Sequence, residues 1–169
     1  MLHQMFSFKG RMNRAPYWGY SILTAVMMIL PIFGIGFYVG FTNADAAQTV
    51  IDAKLEAALK WPALIVTLLA MWPLTAIVAK RLQDHGRAGW IALPVMLPSL
   101  VYQLTVHVQG DGSAFPVNTP MLMAAGSIYA IVAIWSIVYL GCMRGTDGPN
   151  QFGPDPLEMK SMAGGTQAA

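Results

Sequence analysis

The residues able to do chemistry in this chain are guanidiniums and carboxylates gathered in three short segments. The first is Phe6-x-Phe8-x-Gly10-Arg11-x-Asn13-Arg14-x-x-Tyr17-Trp18, and the second is Arg81-Leu82-Gln83-Asp84-His85-Gly86-Arg87-Ala88-Gly89-Trp90. The third runs from Gly145 to Pro156 through Thr146, Asp147 and Gly148. Arg11, Arg14, Arg81, Arg87 and Arg144 stand against Asp84, Asp147 and Asp155. Arginine pairs bidentately with a carboxylate or a phosphate, so three readings are open. Pairs such as Arg81–Asp84 tie the segments into a small polar cap. Alternatively, Arg11, Asn13, Arg14, Arg81, Asp84, Arg87 and Arg144 form a site for an anionic phospholipid headgroup. In the third reading the charges only anchor membrane spans. Gly148, Asn150, Phe152, Gly153, Pro154, Asp155 and Pro156 have the composition of a structural turn motif.

Catalytic chemistry is not indicated. Cys142 is the single cysteine and the three histidines are not closely spaced, so spacing points to no metal site and no cofactor. A Gly-x-Ser-x-Gly elbow and a phosphate-cradling glycine loop are both missing from the sequence. The expectation is a protein that is not an enzyme. With a net charge of +2 and no long basic run, it has no nucleic-acid partner either.

The elements that must position these segments are long and apolar. Only 11% of the 169 residues are charged, and 56% are hydrophobic. No Asp, Glu, Lys or Arg occurs between Arg14 and Asp45, Lys60 and Lys80, Arg87 and Asp111, or Asp111 and Arg144. A hydrocarbon core about 30 Å thick needs roughly 20 helical residues. The predicted architecture is therefore an all-α membrane protein with four transmembrane helices near 17–41, 61–79, 90–108 and 121–143. The whole of residues 1–169 forms one integral membrane domain with a tail at 144–169. A cleaved signal is disfavoured because about 25 apolar residues separate Arg14 from the small residues at Ala44–Ala46, where a signal core has about 7–15. All charged residues fall outside the predicted spans, so the low charge content averages two unlike halves.

An extra amphipathic helix is predicted over about 44–60, between spans one and two. Ala47, Ile51, Leu55, Ala58 and Leu59 fall on one side, while Asp45, Asp52, Glu56 and Lys60 fall opposite. Thr42 or Asn43 is its expected cap, and it either packs on its own bundle, docks a partner, or continues into span two across Pro62. A turn-rich loop is expected at Gln109–Pro120, and a frayed end at Ala163–Ala169. Eight of the ten basic residues, including Lys9, Arg11, Lys80, Arg81 and Lys160, flank one side of the spans; Lys54 and Lys60 flank the other. The positive-inside rule then places both termini in the cytoplasm. Pro31, Pro73, Pro94 and Pro98 lie inside spans and are candidates for kinks. His107 reads as a polar tip at the outer interface.

Together the three polar segments resemble the YhaH-like family of small bacterial inner-membrane proteins, a domain-of-unknown-function family. The resemblance rests on Gly10-Arg11 with Arg14-x-x-Tyr17-Trp18, on Arg81-Leu82-x-Asp84-x-Gly86-x-x-Gly89-Trp90, and on Gly148-x-Asn150-x-Phe152-Gly153-x-x-Pro156. Gln83 and Ala88 depart from the His and Ser common in that pattern. The resemblance implies a multi-span protein of the bacterial inner membrane and no particular reaction. The functional expectation is an accessory or interaction protein, with the lipid bilayer, an anionic phospholipid, and a membrane-protein partner or second copy as its partners. The alternative is a small transporter, channel or lipid-binding protein that uses proline-kinked spans.

Overall fold

A computed structural model of the chain describes residues 5–109 and 120–158. Of the loop expected at Gln109–Pro120, the two end residues are helical and 110–119 lie outside the described residues, as do the tail end at Ala163–Ala169 and Lys160. Helix α1 is Arg14–Thr42, α2 is Gln48–Asp84, α3 is Ala92–Gln109 after a short tight turn at Gly89–Ile91, and α4 is Pro120–Ser136. The fourth helix continues as a widened turn over Ile137–Cys142. No strand forms among the described residues beyond one isolated bridge, Asn150–Gly153. Four helices are long and apolar enough to cross a membrane.

The apolar side chains point mainly outward. Ile29, Leu30, Phe33, Phe37 and Phe41 on α1 are exposed, as are Ile131, Ile134 and Ile137 along the fourth. In water that arrangement leaves very large apolar patches uncovered; hydrocarbon solvates them without cost. Burial concentrates instead in the C-terminal half of α2, where every residue from Thr75 to Leu82 is buried. There Met12, Tyr17, Ile77, Val78, Ala79, Leu82, Ala92 and Leu140 form one core cluster.

The amphipathic segment is not a separate helix. Gln48–Lys60 is the first part of α2, which runs unbroken through Pro62 and Pro73. At 1.5 Å per residue α2 measures about 55 Å, roughly 25 Å more than a hydrocarbon core. Nor do Thr42 and Asn43 cap that segment, since the helix begins five residues later. They finish α1 instead. Thr42 donates its hydroxyl to Tyr38 O at 2.8 Å, while Asn43 donates to Val39 O at 2.8 Å and accepts from Lys54 Nζ. Gly36 lets Leu55 of α2 come close, with Cδ1 3.7 Å from where a Cβ would stand. The segment thus packs on its own bundle.

The other end of α2 is closed by a Schellman stop. Gly86, at φ +70°, donates to Gln83 O at 3.1 Å, and Arg87 N–H reaches Leu82 O at 2.9 Å. Only glycine occupies that left-handed position without strain. The stop turns the chain directly into Gly89–Ile91 and sets α3 beside α2.

Candidate functional site

The start of α1, the C-terminal end of α2 and the end of the fourth span meet at one end of the bundle. Arg81 lies at the centre with a fully buried side chain. Its Nε donates to Leu140 O at 2.6 Å and its Nη1 to Met12 O at 3.3 Å and to Asp84 Oδ2; its Nη2 donates to Met143 O. Asp84 Oδ1 accepts from Arg11 Nε at 3.1 Å. One carboxylate is therefore shared by two guanidiniums, and all three side chains are at most 4% exposed. Such a group persists out of water because both carboxylate oxygens are hydrogen-bonded and the surplus positive charge is met by backbone carbonyls.

Arg11 carries the lock into the C-terminal segment. Its Nη1 donates to Gly148 O at 2.5 Å and Gly153 O at 3.4 Å, and its Nη2 to Thr146 O at 2.6 Å. Thr146 returns to α2, donating both its backbone N–H and its hydroxyl to Asp84 O at 2.9 Å. Asn150 donates to Gln83 O at 3.0 Å, pairs its backbone with Gly153, and accepts from Phe152 N–H. Asp155 accepts from Leu157 N–H at 2.8 Å and Gly148 N–H at 3.2 Å. The Leu157 N–H holds the Asp155 carboxyl below the usual carboxylate range, opposed by burial and helped by the Gly148 N–H, Arg11 and Arg144. Gly145 leaves no room for a side chain: a Cβ would sit 2.0 Å from Asp84 Oδ2 and 2.9 Å from Asp84 O.

The fourth span ends in the widened turn, where Met143 N–H reaches back five residues to Val138 O at 3.2 Å. A helix end leaves carbonyls without partners, and here side chains supply the donors. Leu140 O and Met143 O take Arg81, Gly141 O takes the Trp18 indole N–H at 3.2 Å, and Cys142 O takes Arg14 Nη1 at 3.2 Å. Cations there also oppose the negative end of the helix dipole. The Trp18 ring lies against Gly141, where a Cβ would meet it at 2.6 Å.

His85 stacks on Tyr139 with ring centres 4.7 Å apart, and its Nε2 is buried without a hydrogen bond. Burial pushes its pKa below the ordinary histidine value; Arg81 adds to this and Asp84 opposes it.

Residues 5–154 match a family described as "Protein of unknown function (DUF805)". That match takes in Arg11, Arg81, Asp84 and the Asn150–Gly153 turn. The chain belongs to the DUF805 family. This is the family its motifs resemble. The chain is also similar to "Uncharacterized protein YiiR" of Escherichia coli strain K12, at 26% identity over 160 residues, covering 94% of this chain and 92% of the relative. YiiR of Escherichia coli O157:H7 matches to the same extent. No solved structure matches.

Within this DUF805 chain, the structure places Arg11, Arg81, Asp84 and the turn residues Gly148, Asn150, Gly153 and Asp155 in one network. Arg14 touches its edge through Cys142 O. Arg144 pairs with Asp147 at 2.9 Å in an exposed ion pair, and Arg87 is exposed on the turn after α2. Asn13 Oδ1 is buried without a partner. Sequence reasoning missed Trp18 as a carbonyl donor, Thr146 as the double contact to Asp84 and Gly145 as the spacer beside it. A lone Arg-Gly-Thr carries no local signal for contacts across some 60 positions. Gln83 donates to Phe8 O at 3.0 Å, and its Oε1 is buried without a hydrogen bond beside a cavity of about 340 Å³. At the far end of α3, His107 meets Trp61 edge-on at 5.0 Å, with its Nε2 buried and unpartnered.

Proposed function

We propose that this DUF805 chain is a multi-pass accessory protein of the bacterial inner membrane, with both termini in the cytoplasm and the arginine–aspartate cap as its ordered docking face. The observation that carries this reading is the shared carboxylate. Asp84 ties Arg11 of the first segment to Arg81 of the second, and the same two guanidiniums hold the third through Thr146 O, Gly148 O and Met143 O, while the spans expose apolar side chains outward. Rigid presentation of loops is how folds commonly carry recognition. The excess of Lys and Arg at the same end supports a cytoplasmic position.

A C-terminal fusion to green fluorescent protein is expected to fluoresce in cells, and a fusion to alkaline phosphatase to stay inactive. The reverse pattern refutes the orientation. For the docking role, cross-linkable residues at Arg87 and Asp147 are expected to trap a partner in native membranes. Asp84→Asn, which loosens the cap, is expected to abolish that trapping. Trapping that survives the loss of the cap refutes the docking face.

A further inference from the structure

The cap encloses a half-open cleft of about 190 Å³ lined by all of Arg11, Arg14, Arg81 and Arg144. A guanidinium has five N–H donors. Arg11 and Arg81 each make four hydrogen bonds within the lock, so neither has much left for a ligand. Both oxygens of Asp84 and both of Asp155 are likewise engaged. The unengaged charge belongs to the other two arginines. Arg14 is exposed and makes one bond, to Cys142 O. Arg144 is held by Asp147 in a pair 65% and 76% exposed, and such pairs exchange readily because water screens them.

Two further features line the same cleft. The first turn of α1 has no side-chain cap and no acidic residue, so its N–H groups and positive dipole end suit an anion. Pro16 occupies the third position, where a capping Asn would ordinarily find an N–H. Asn13 Oδ1 is meanwhile buried with no hydrogen bond, an acceptor lacking its donor. The cleft therefore offers two guanidiniums and a helix N-terminus for a negative group, with an amide oxygen beside them for a donor.

We infer that this cleft binds a phosphodiester monoanion whose headgroup carries a hydroxyl or ammonium donor, with Arg14 and Arg144 on the phosphate and Asn13 on the donor. This deepens the proposed function by assigning a ligand to the same face. It also narrows the sequence expectation: of the candidate arginines, Arg11 and Arg81 hold the cap and Arg14 and Arg144 hold the ligand. The start of α1 and the end of the fourth span put the cleft at headgroup depth, so a phospholipid is one source of the phosphate. A soluble phosphate compound is the other.

The test is titration of fluorescent phosphatidylglycerol into the full chain in neutral detergent micelles. Arg14→Gln with Arg144→Gln is expected to weaken binding about a hundredfold, roughly tenfold per lost charged contact. Arg14→Lys with Arg144→Lys keeps the charge and is expected to retain most of it. Competition by phosphatidylethanolamine but not by its soluble phosphodiester headgroup, glycerophosphoethanolamine, identifies a lipid. Competition by glycerophosphoethanolamine identifies a soluble phosphodiester at the same site. Phosphatidylcholine offers no headgroup donor and is expected to compete poorly; equal competition removes Asn13 from the assignment. Undiminished binding by the double Gln variant overturns the proposal. Because the lock residues are untouched, an unchanged melting temperature in that variant shows that the cap reading survives the loss of the ligand.

Discussion

Asp84→Asn replaces one oxygen by nitrogen and removes the carboxylate shared by two buried guanidiniums. The side chains involved are 4% exposed for Asp84, 2% for Arg11 and 0% for Arg81. Breaking a buried ion pair from one side costs about 3–5 kcal/mol, because the remaining charge stays out of water. Here two cations lose the same counter-charge, so the upper part of that range is expected. Thr146 bonds the backbone oxygen of Asp84 and is unaffected, so the loss reports the side chain's charge together with the one acceptor oxygen that the amide gives up. Exchanging the pair, Arg81→Asp with Asp84→Arg, is expected not to rescue. Arg81 makes three of its four bonds to the carbonyls of Leu140, Met12 and Met143, and an aspartate there would face them with oxygen. At about 1–3 kcal/mol for each orphaned carbonyl, the exchange still costs at least about 3 kcal/mol. Asp147→Asn, in the exposed pair, serves as the control and is expected to cost about 0–1 kcal/mol. Equilibrium unfolding of the full chain in mixed micelles, followed by tryptophan fluorescence, measures all three. A loss below about 1 kcal/mol for Asp84→Asn, or full recovery in the exchange variant, would refute the reasoning.

Gly145→Ala should be severely destabilising, because its Cβ would sit 2.0 Å from Asp84 Oδ2 and 2.9 Å from a backbone oxygen. Gly148→Ala meets nothing within 4 Å and carries only the positive-φ penalty of about 1–2 kcal/mol; melting curves that rank the two the other way round would contradict the packing. Gly141→Ala should expel the Trp18 ring, read as a red-shifted tryptophan emission; an unshifted spectrum would argue against that contact. His85 is held below its ordinary pKa by burial, so the unfolded chain binds more protons and stability falls as pH drops through about 6.5 toward the folded value. His85→Gln should flatten the stability profile across that window, and an identical slope in both proteins would exclude His85 as its source.

The spans were legible from the absence of charge. Arg14 to Asp45 and the other uncharged stretches are long enough for a bilayer, and no tertiary contact is needed to see it. The stop after α2 was not legible in the sequence: lack of charge places the second span at 61–79, whereas the helix runs on to Asp84 and ends at the left-handed Gly86. The helix over 44–60 was half legible: its periodicity showed, but its merger with span two depended on whether neighbours tolerate Pro62. Its Leu55 contact with Gly36 lies between different helices, which local spacing does not encode.

Residue types alone determined that the charged residues lie outside the four apolar spans, because burying unpaired charge in hydrocarbon is costly, and the positions of Arg11, Arg14, Arg81, Arg87 and Arg144 in the chain put the five arginines on the same flank. What only the tertiary structure decided is the division of labour among them. Arg11 and Arg14 are three residues apart and chemically alike, yet Arg11 is buried against Asp84 and Arg14 faces the cleft mouth. Burial decides which charge is held and which is free, and burial is set by the packing of α1, α2 and the fourth span. The sequence supplied the charges, and the meeting of three distant segments determined which of them remain available.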